Sequence, residues 1–160
     1  QLTDKNLRIL IPGGGNSYEA EYLLQRGFRD VTVVDISNEI VKILRDKYAT
    51  KGLKVVCEDF FEHEGQYDLV LEQTFFCAID PSLRPRYVLK MHELLRPSGM
   101  LAGLLFNRSF EGGPPFGGTV EEYKRLFEAT FDLKRMTPAH NSIPPRLGFE
   151  VFFVASPKGH

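Results

Sequence analysis

Short apolar runs closed by turn residues alternate with helix-periodic segments along most of this chain, and a chain built that way has few ways to fold. Leu7–Ile11 is a short, mostly apolar run ending in Pro12-Gly13-Gly14-Gly15, the pattern of a buried strand and a tight turn. Asn16 or Ser17 can cap the next helix, whose inward face is Ala20, Leu23, Leu24 and Gly27. Val31–Val34 is a second strand closed by Asp35, and Ser37 can cap a second helix with Ile40, Ile43, Leu44 and Tyr48 inward. Leu53–Cys57 and Tyr67–Leu71 are two further strands, joined by a link with little room for a helix. One long helix is then expected to run to about Leu95, with Tyr87, Met91, Leu94 and Leu95 at core spacing.

Pro97-Ser98-Gly99 turns the chain into a fifth strand, Met100–Phe106, and a Gly- and Pro-rich loop follows to Gly118. Thr119-x-x-Glu122 is a capping box, with Tyr123, Leu126, Phe127 and Thr130 as the inward stripe of its helix. Phe131–Met136 and Phe149–Ala155 have no helix between them and should pair antiparallel at a sheet edge. The whole order predicts an α/β fold: a Rossmann-like, doubly wound, mostly parallel seven-stranded sheet with an antiparallel last strand. Ligands of such sheets bind at the carboxyl ends of the strands, where the strand order switches.

The 160 residues suit a single domain, expected to span 1–160. Twenty basic against 21 acidic residues leave a net charge of −1 with no basic stripe, which argues against a nucleic-acid partner. No apolar run approaches the roughly 20 residues that span a bilayer, and the polar stretch Gln1–Arg8 has no signal-peptide pattern. Cys57 and Cys77 cannot make a disulfide framework, so the expected setting is cytoplasmic, with thiols reduced. The expected partner is a small molecule, with no membrane and no obligate protein partner.

Three local patterns carry chemistry. Pro12-Gly13-Gly14-Gly15-Asn16-Ser17 sits between a strand and a helix, where glycines let a ligand approach the backbone and free N–H groups face an anion. Glycine turns are common in α/β proteins, so this one alone leaves a plain turn and a ligand site equally open. Asp35 ends the second strand 20 residues after Gly15, where an acid can accept hydrogen bonds from both hydroxyls of an adenosine ribose. The competing role for Asp35 is a helix cap beside Ser37. Asp59-Phe60 follows the third strand; it is either a third ligand contact or part of an exposed acidic loop with Glu58, Glu62 and Glu64. A dinucleotide fingerprint would place a small residue three positions after Gly15, where this chain has Tyr18.

Tyr67-Asp68-Leu69-Val70 followed by Leu94-Leu95-Arg96-Pro97-Ser98-Gly99 resembles a signature of class I methyltransferases. Glu72-Gln73-Thr74-Phe75-Phe76-Cys77-Ala78-Ile79 with Arg84-Pro85-x-Tyr87 is more specific: it resembles the thiopurine, thiol and halide methyltransferase family. Gly112-Gly113-Pro114-Pro115-Phe116 and Asn141-Ser142-Ile143-Pro144-Pro145-Arg146 extend that match over nearly the whole chain. The resemblance implies S-adenosylmethionine as methyl donor, with S-adenosylhomocysteine as its product.

Gly13, Gly14 and Gly15 would then lie under the donor's methionine end, with Asp35 and Ile36 at the ribose and Asp59 and Phe60 at the adenine. Glu72 and Gln73, after the fourth strand, would reach the donor near the reacting centre, although relatives more often carry Arg or Tyr at position 73. Phe75, Phe76, Arg84 and Tyr87 would face the acceptor, a soft nucleophile such as a thiol, thiocyanate, halide or thiopurine. For Phe75 and Phe76 ordinary core packing competes with this role, and for Arg84 a loop cap does. Relatives open with an aromatic segment that closes over the donor; with no Trp and almost nothing before its first strand, this chain is expected to lack that lid.

No catalytic base stands out, and a thiolate or halide needs none. The scattered histidines, His63, His92, His140 and His160, show no metal-ligand spacing and read as solvated or capping groups, so no metal is expected. Competing readings are a nicotinamide-dependent oxidoreductase, an aminopropyl transferase on the same fold, and a donor-binding module without activity.

Overall fold

A computed structural model describes residues 4–13, 18–48, 50–73, 75–106, 116–138 and 150–159. Seven strands form one sheet in the order β3-β2-β1-β4-β5-β7-β6. They are β1 (Arg8–Pro12), β2 (Asp30–Asp35), β3 (Lys54–Cys57), β4 (Tyr67–Glu72), β5 (Leu95–Phe106), β6 (Phe131–Pro138) and β7 (Glu150–Pro157). Strand β7 runs antiparallel to both β5 and β6, and the other pairs are parallel. The order reverses between β1 and β4, which puts the switch point beside the glycine turn.

The apolar strands are buried on both faces because helices cover both. Ile9, Ile11, Val31 and Val33 point to one face, where they meet Ala20 and Leu23 of α1 (Tyr18–Gln25) and Val41 and Leu44 of α2 (Asn38–Tyr48). Leu10, Val34 and Val70 point to the other, against Tyr87 and Met91 of α4 (Arg84–Leu94) and Tyr123 and Phe127 of α5 (Val120–Phe127). Adjacent residues of one strand thus belong to different cores, the period-two signature of a strand. Thr119 caps α5 as the capping box requires, its hydroxyl accepting the Glu122 N–H at 3.2 Å.

Three expectations are corrected. The long helix after β4 is broken into α3 (Phe75–Ala78), a 3-10 turn (Pro81–Leu83) and α4. Asp80 accepts the Ser82 N–H at 2.9 Å and so caps a new start, while Pro81 and Pro85 have no N–H to continue an old helix. Helix α2 turns Ile43 outward, 62% exposed, and buries Val41 in its place, beside Leu44 and Tyr48 as expected. Strand β5 starts at Leu95, opposite Tyr67, and its next partner pair is Met100 with Leu69. Residues 96–99 therefore leave the ladder opposite Asp68, and Arg96 uses the excursion to bond both Asp68 oxygens at 3.0 and 3.1 Å. No helix among the described residues is long and apolar enough to cross a membrane.

Candidate functional site

The carboxyl ends of β1, β2 and β3 converge on one cleft. Gly13 follows β1 with a φ of 81°, and its N–H donates to the Val34 carbonyl at 2.7 Å. Only glycine adopts that backbone without strain, and a Cβ there would rest on the Phe75 ring at 3.5 Å. Asp35 closes β2; its carboxylate accepts the Ser37 N–H at 2.8 Å, and its carbonyl accepts the Glu58 N–H at 3.0 Å. Ile36 beside it is 69% exposed, an apolar side chain held at the mouth of the cleft.

Asp59 caps a 3-10 turn, Phe60–Glu62, by accepting the Phe61 N–H at 2.9 Å. Phe60 is buried, with its ring centroid 4.9 Å from that of Phe75 and 5.4 Å from that of Phe61. The enclosed space is about 460 Å³, within the range of small-ligand clefts. Gly13, Asp35, Ile36, Asp59, Phe60 and Phe75 all line it, and Ala78, Ile79 and Leu83 form the apolar far wall.

Besides apolar lining residues, two charged ones were not among the expected site residues. Glu58 sits on the lip beside Asp59. Arg86 reaches the cleft from α4, its guanidinium 4.7 Å above the centre of the Phe61 ring. The signal for Arg86 was its place two residues after Arg84, about 200° around a helix, so that burying one exposes the other.

Other expected site residues lie beneath the cleft. Phe76 is 0% exposed; its ring packs edge-on against Tyr87 and Tyr123, with centroids 5.0 and 5.6 Å away. Tyr87 is equally buried and donates its hydroxyl to Glu72 Oε1 at 2.7 Å. Glu72 Oε2 accepts the Phe76 N–H at 3.0 Å, so its side chain turns inward as a bracket between α3 and α4. Burial pushes this carboxyl up to about 7, against the opposing pull of the hydrogen bonds from Phe76, Tyr87 and Phe75. Burial, followed by the Glu72 charge, also pushes the Tyr87 phenol well above its usual range.

Arg84 proves to be a loop cap. Its side chain is buried, donates to the carbonyls of Phe116 and Gly117 at 3.1 and 3.0 Å, and lies 4.4 Å over the Phe76 ring. Phe76, Arg84 and Tyr87, expected to face a small molecule, are thus buried and do not line the cleft. Gln73 follows β4 half-buried and does not line the cleft. Among the histidines, His63 is not solvated but buried between Glu58 and Tyr67. Gly14, Gly15, Asn16, Ser17, residues 112–115 and 141–146, and His140 and His160 fall outside the described residues.

The sequence matches the family described as thiopurine S-methyltransferase over residues 2–150. It is 35% identical to the Arabidopsis thaliana protein named "probable thiol methyltransferase 2", over 91% of this chain and 67% of that protein. It is 32% identical to a thiocyanate methyltransferase of Brassica oleracea, over 73% of this chain and 54% of that protein. The chain thus spans about half to two thirds of these relatives' length. The fold superposes with a TM-score of 0.72 on a Burkholderia thailandensis 1,6-didemethyltoxoflavin N1-methyltransferase bound to S-adenosylhomocysteine, at 20% identity over 97% of this chain and 72% of that one.

Proposed function

The chain belongs to the thiopurine S-methyltransferase family of S-adenosylmethionine-dependent enzymes, and from that premise we propose that its cleft holds this donor and transfers a methyl group to a small soft nucleophile. A thiol, thiocyanate, halide or thiopurine-like acceptor fits this reading. The observation that carries it is the convergence of Gly13, Asp35 and Asp59-Phe60 at the ends of three adjacent strands, with an apolar wall opposite.

Each contact suits a part of the donor. Gly13, with its positive φ and no side chain, leaves room on the cleft for the methionine end, and Gly14 and Gly15, next in the sequence, are assigned to the same end from the resemblance alone. Asp35 offers a carboxylate to the ribose hydroxyls, and its turn to Ser37 fixes its direction. Ile36 and Ile79 offer apolar faces to a flat base, and Asp59 offers an acceptor for the adenine amino group. Glu72 and Gln73 are assigned to the methionine end from the resemblance alone; neither lines the cleft, and the Glu72 side chain is committed to the interior.

When bound, the donor supplies a methyl group on a sulfonium, an electrophile that needs no further activation. The protein's own task is to orient an incoming nucleophile and keep water out. Phe75, which lines the cleft with Gly13, gives that approach a polarizable aromatic wall suited to sulfur or a heavy halide. Arg86 is a cation on the same cleft and favours an anionic acceptor. A cytoplasmic setting accords with Cys57 and Cys77 standing outside any disulfide.

Calorimetric titration with S-adenosylhomocysteine and with NAD tests the donor assignment. Binding of the first alone is expected; binding of NAD without the first overturns it. A screen of thiols, thiocyanate, iodide and thiopurines with labelled donor tests the acceptor class. Methylation confined to oxygen or nitrogen acceptors, or no methylation despite donor binding, overturns that part.

A further inference from the structure

The turn that carries Asp59 and Phe60 is braced by a buried polar chain that the reaction does not use. His63 is 6% exposed, and both its ring nitrogens are engaged. Nδ1 lies 2.6 Å from Glu58 Oε1, and Nε2 lies 2.8 Å from the Tyr67 hydroxyl. Thr32 of β2, itself buried, lies near the same phenol. With Nδ1–H donating to the carboxylate, Nε2 accepts the Tyr67 O–H, so each buried donor meets an acceptor. The chain runs from Glu58 on the cleft through His63 to Tyr67 of β4.

Glu58 shares that lip with Asp59, and Asp35 lines the same cleft, so three acids crowd one rim. A side chain like Glu58, about one-third exposed, would otherwise swing in solvent, close to the acid that must receive the base. The imidazole N–H draws it back and partly offsets its charge. The same bond sets the start of the Phe60–Glu62 turn, whose other constraints are the Asp59 cap and the Phe60–Phe75 contact.

We propose that His63 is a positioning residue for donor binding: by tying Glu58 to Tyr67 it holds the 58–62 turn in the shape that receives the adenine, and so sets donor affinity from outside the site. The inference rests on the assignment of this cleft to the donor. A histidine that only glued the core together would change the melting temperature and leave the affinity of the folded protein alone.

The test titrates S-adenosylhomocysteine into the parent and into His63→Gln, His63→Phe and Tyr67→Phe, each well below its own melting midpoint. Tyr67→Phe removes one hydroxyl and keeps the ring, so it serves if a His63 variant folds poorly. Tyr67→Phe and His63→Gln are expected to bind the product roughly five- to tenfold more weakly, the scale of one lost hydrogen bond. The double variant should cost less than the sum of the two, because both break one chain. If the parent binds the product and the variants match it, the positioning role is overturned while the donor site stands. If the parent itself does not bind, the donor assignment fails and takes this inference with it.

Discussion

Asp35 and Glu72 are the last residues of β2 and β4, the two strands that flank β1, yet their environments are opposite. Asp35 is partly exposed on the cleft, with a local N–H two residues on to fix its direction. Glu72 is 1% exposed and bonded by a backbone N–H and by Tyr87. The first arrangement keeps a carboxylate on the wall of the cleft. The second spends the carboxylate on joining α3 to α4 in the interior. An acid at a strand end is thus a candidate contact only when the helix that follows does not claim it. Asp59 resembles Asp35 in this respect, since its cap is local and its side chain remains exposed.

The largest effect should come from the buried side of this contrast. Phe76→Ala is expected to lower stability by roughly 3–5 kcal/mol, as a fully buried aromatic does when truncated. Phe75→Ala should instead change acceptor or donor kinetics with a smaller stability loss, because Phe75 borders open space. Chemical denaturation of the two variants separates them, and equal losses would erase the distinction between wall and core.

Next in size is a pH effect. A carboxyl raised to about 7 in the folded chain, from about 4.5, keeps its proton where the unfolded chain has lost it. Stability should therefore be highest below pH about 4.5, fall by about 3 kcal/mol as pH rises to about 7, and level off above. Other groups add their own slopes, so the measurement is the difference between the parent and Glu72→Gln across that window. A difference that does not change with pH would mean that Glu72 is ionised in the folded protein.

On the exposed side, Asp35→Ala should leave the fold intact and weaken S-adenosylhomocysteine binding by roughly 1.5–3 kcal/mol, the worth of a charge-assisted hydrogen bond. Unchanged affinity would leave Asp35 as the partner of Ser37 and nothing more.

The order of the strands and the carboxyl ends of β2, β3 and β5 were legible in the sequence because both follow from periodicity and turn residues. Gly13, Asp35 and Asp59 could be placed on one cleft edge for the same reason: each ends or directly follows a strand of a parallel sheet. Which way a side chain turns after β4 was not legible. Phe75 and Phe76 are neighbours on α3, about 100° apart, and only the packing of α5 decides which ring Tyr123 and Phe127 cover. The break at Asp80-Pro81 was readable from local chemistry, since Asp before Pro favours a new helix start. The outward turn of Ile43 was not, because Val41 and Ile43 are both apolar and α2 could bury only one of the two stripes.

The smallest expected effect is also the most discriminating for Asp59, whose capping and ligand roles must be separated. Asp59→Ala removes both. Asp59→Asn keeps a side-chain oxygen for the Phe61 N–H, so the 3-10 turn and the melting temperature should survive. It replaces the second oxygen with an NH₂, which faces the amino group of adenine donor to donor. Affinity for S-adenosylhomocysteine should then fall by about 1 kcal/mol, roughly fivefold. The inosine analogue carries an oxygen where adenine has its amino group and inverts that match. S-inosylhomocysteine should bind Asp59→Asn better than it binds the parent, whose carboxylate repels an oxygen acceptor. A variant that ranks the two ligands as the parent does would show that Asp59 meets no base, and that its charge serves only the cap.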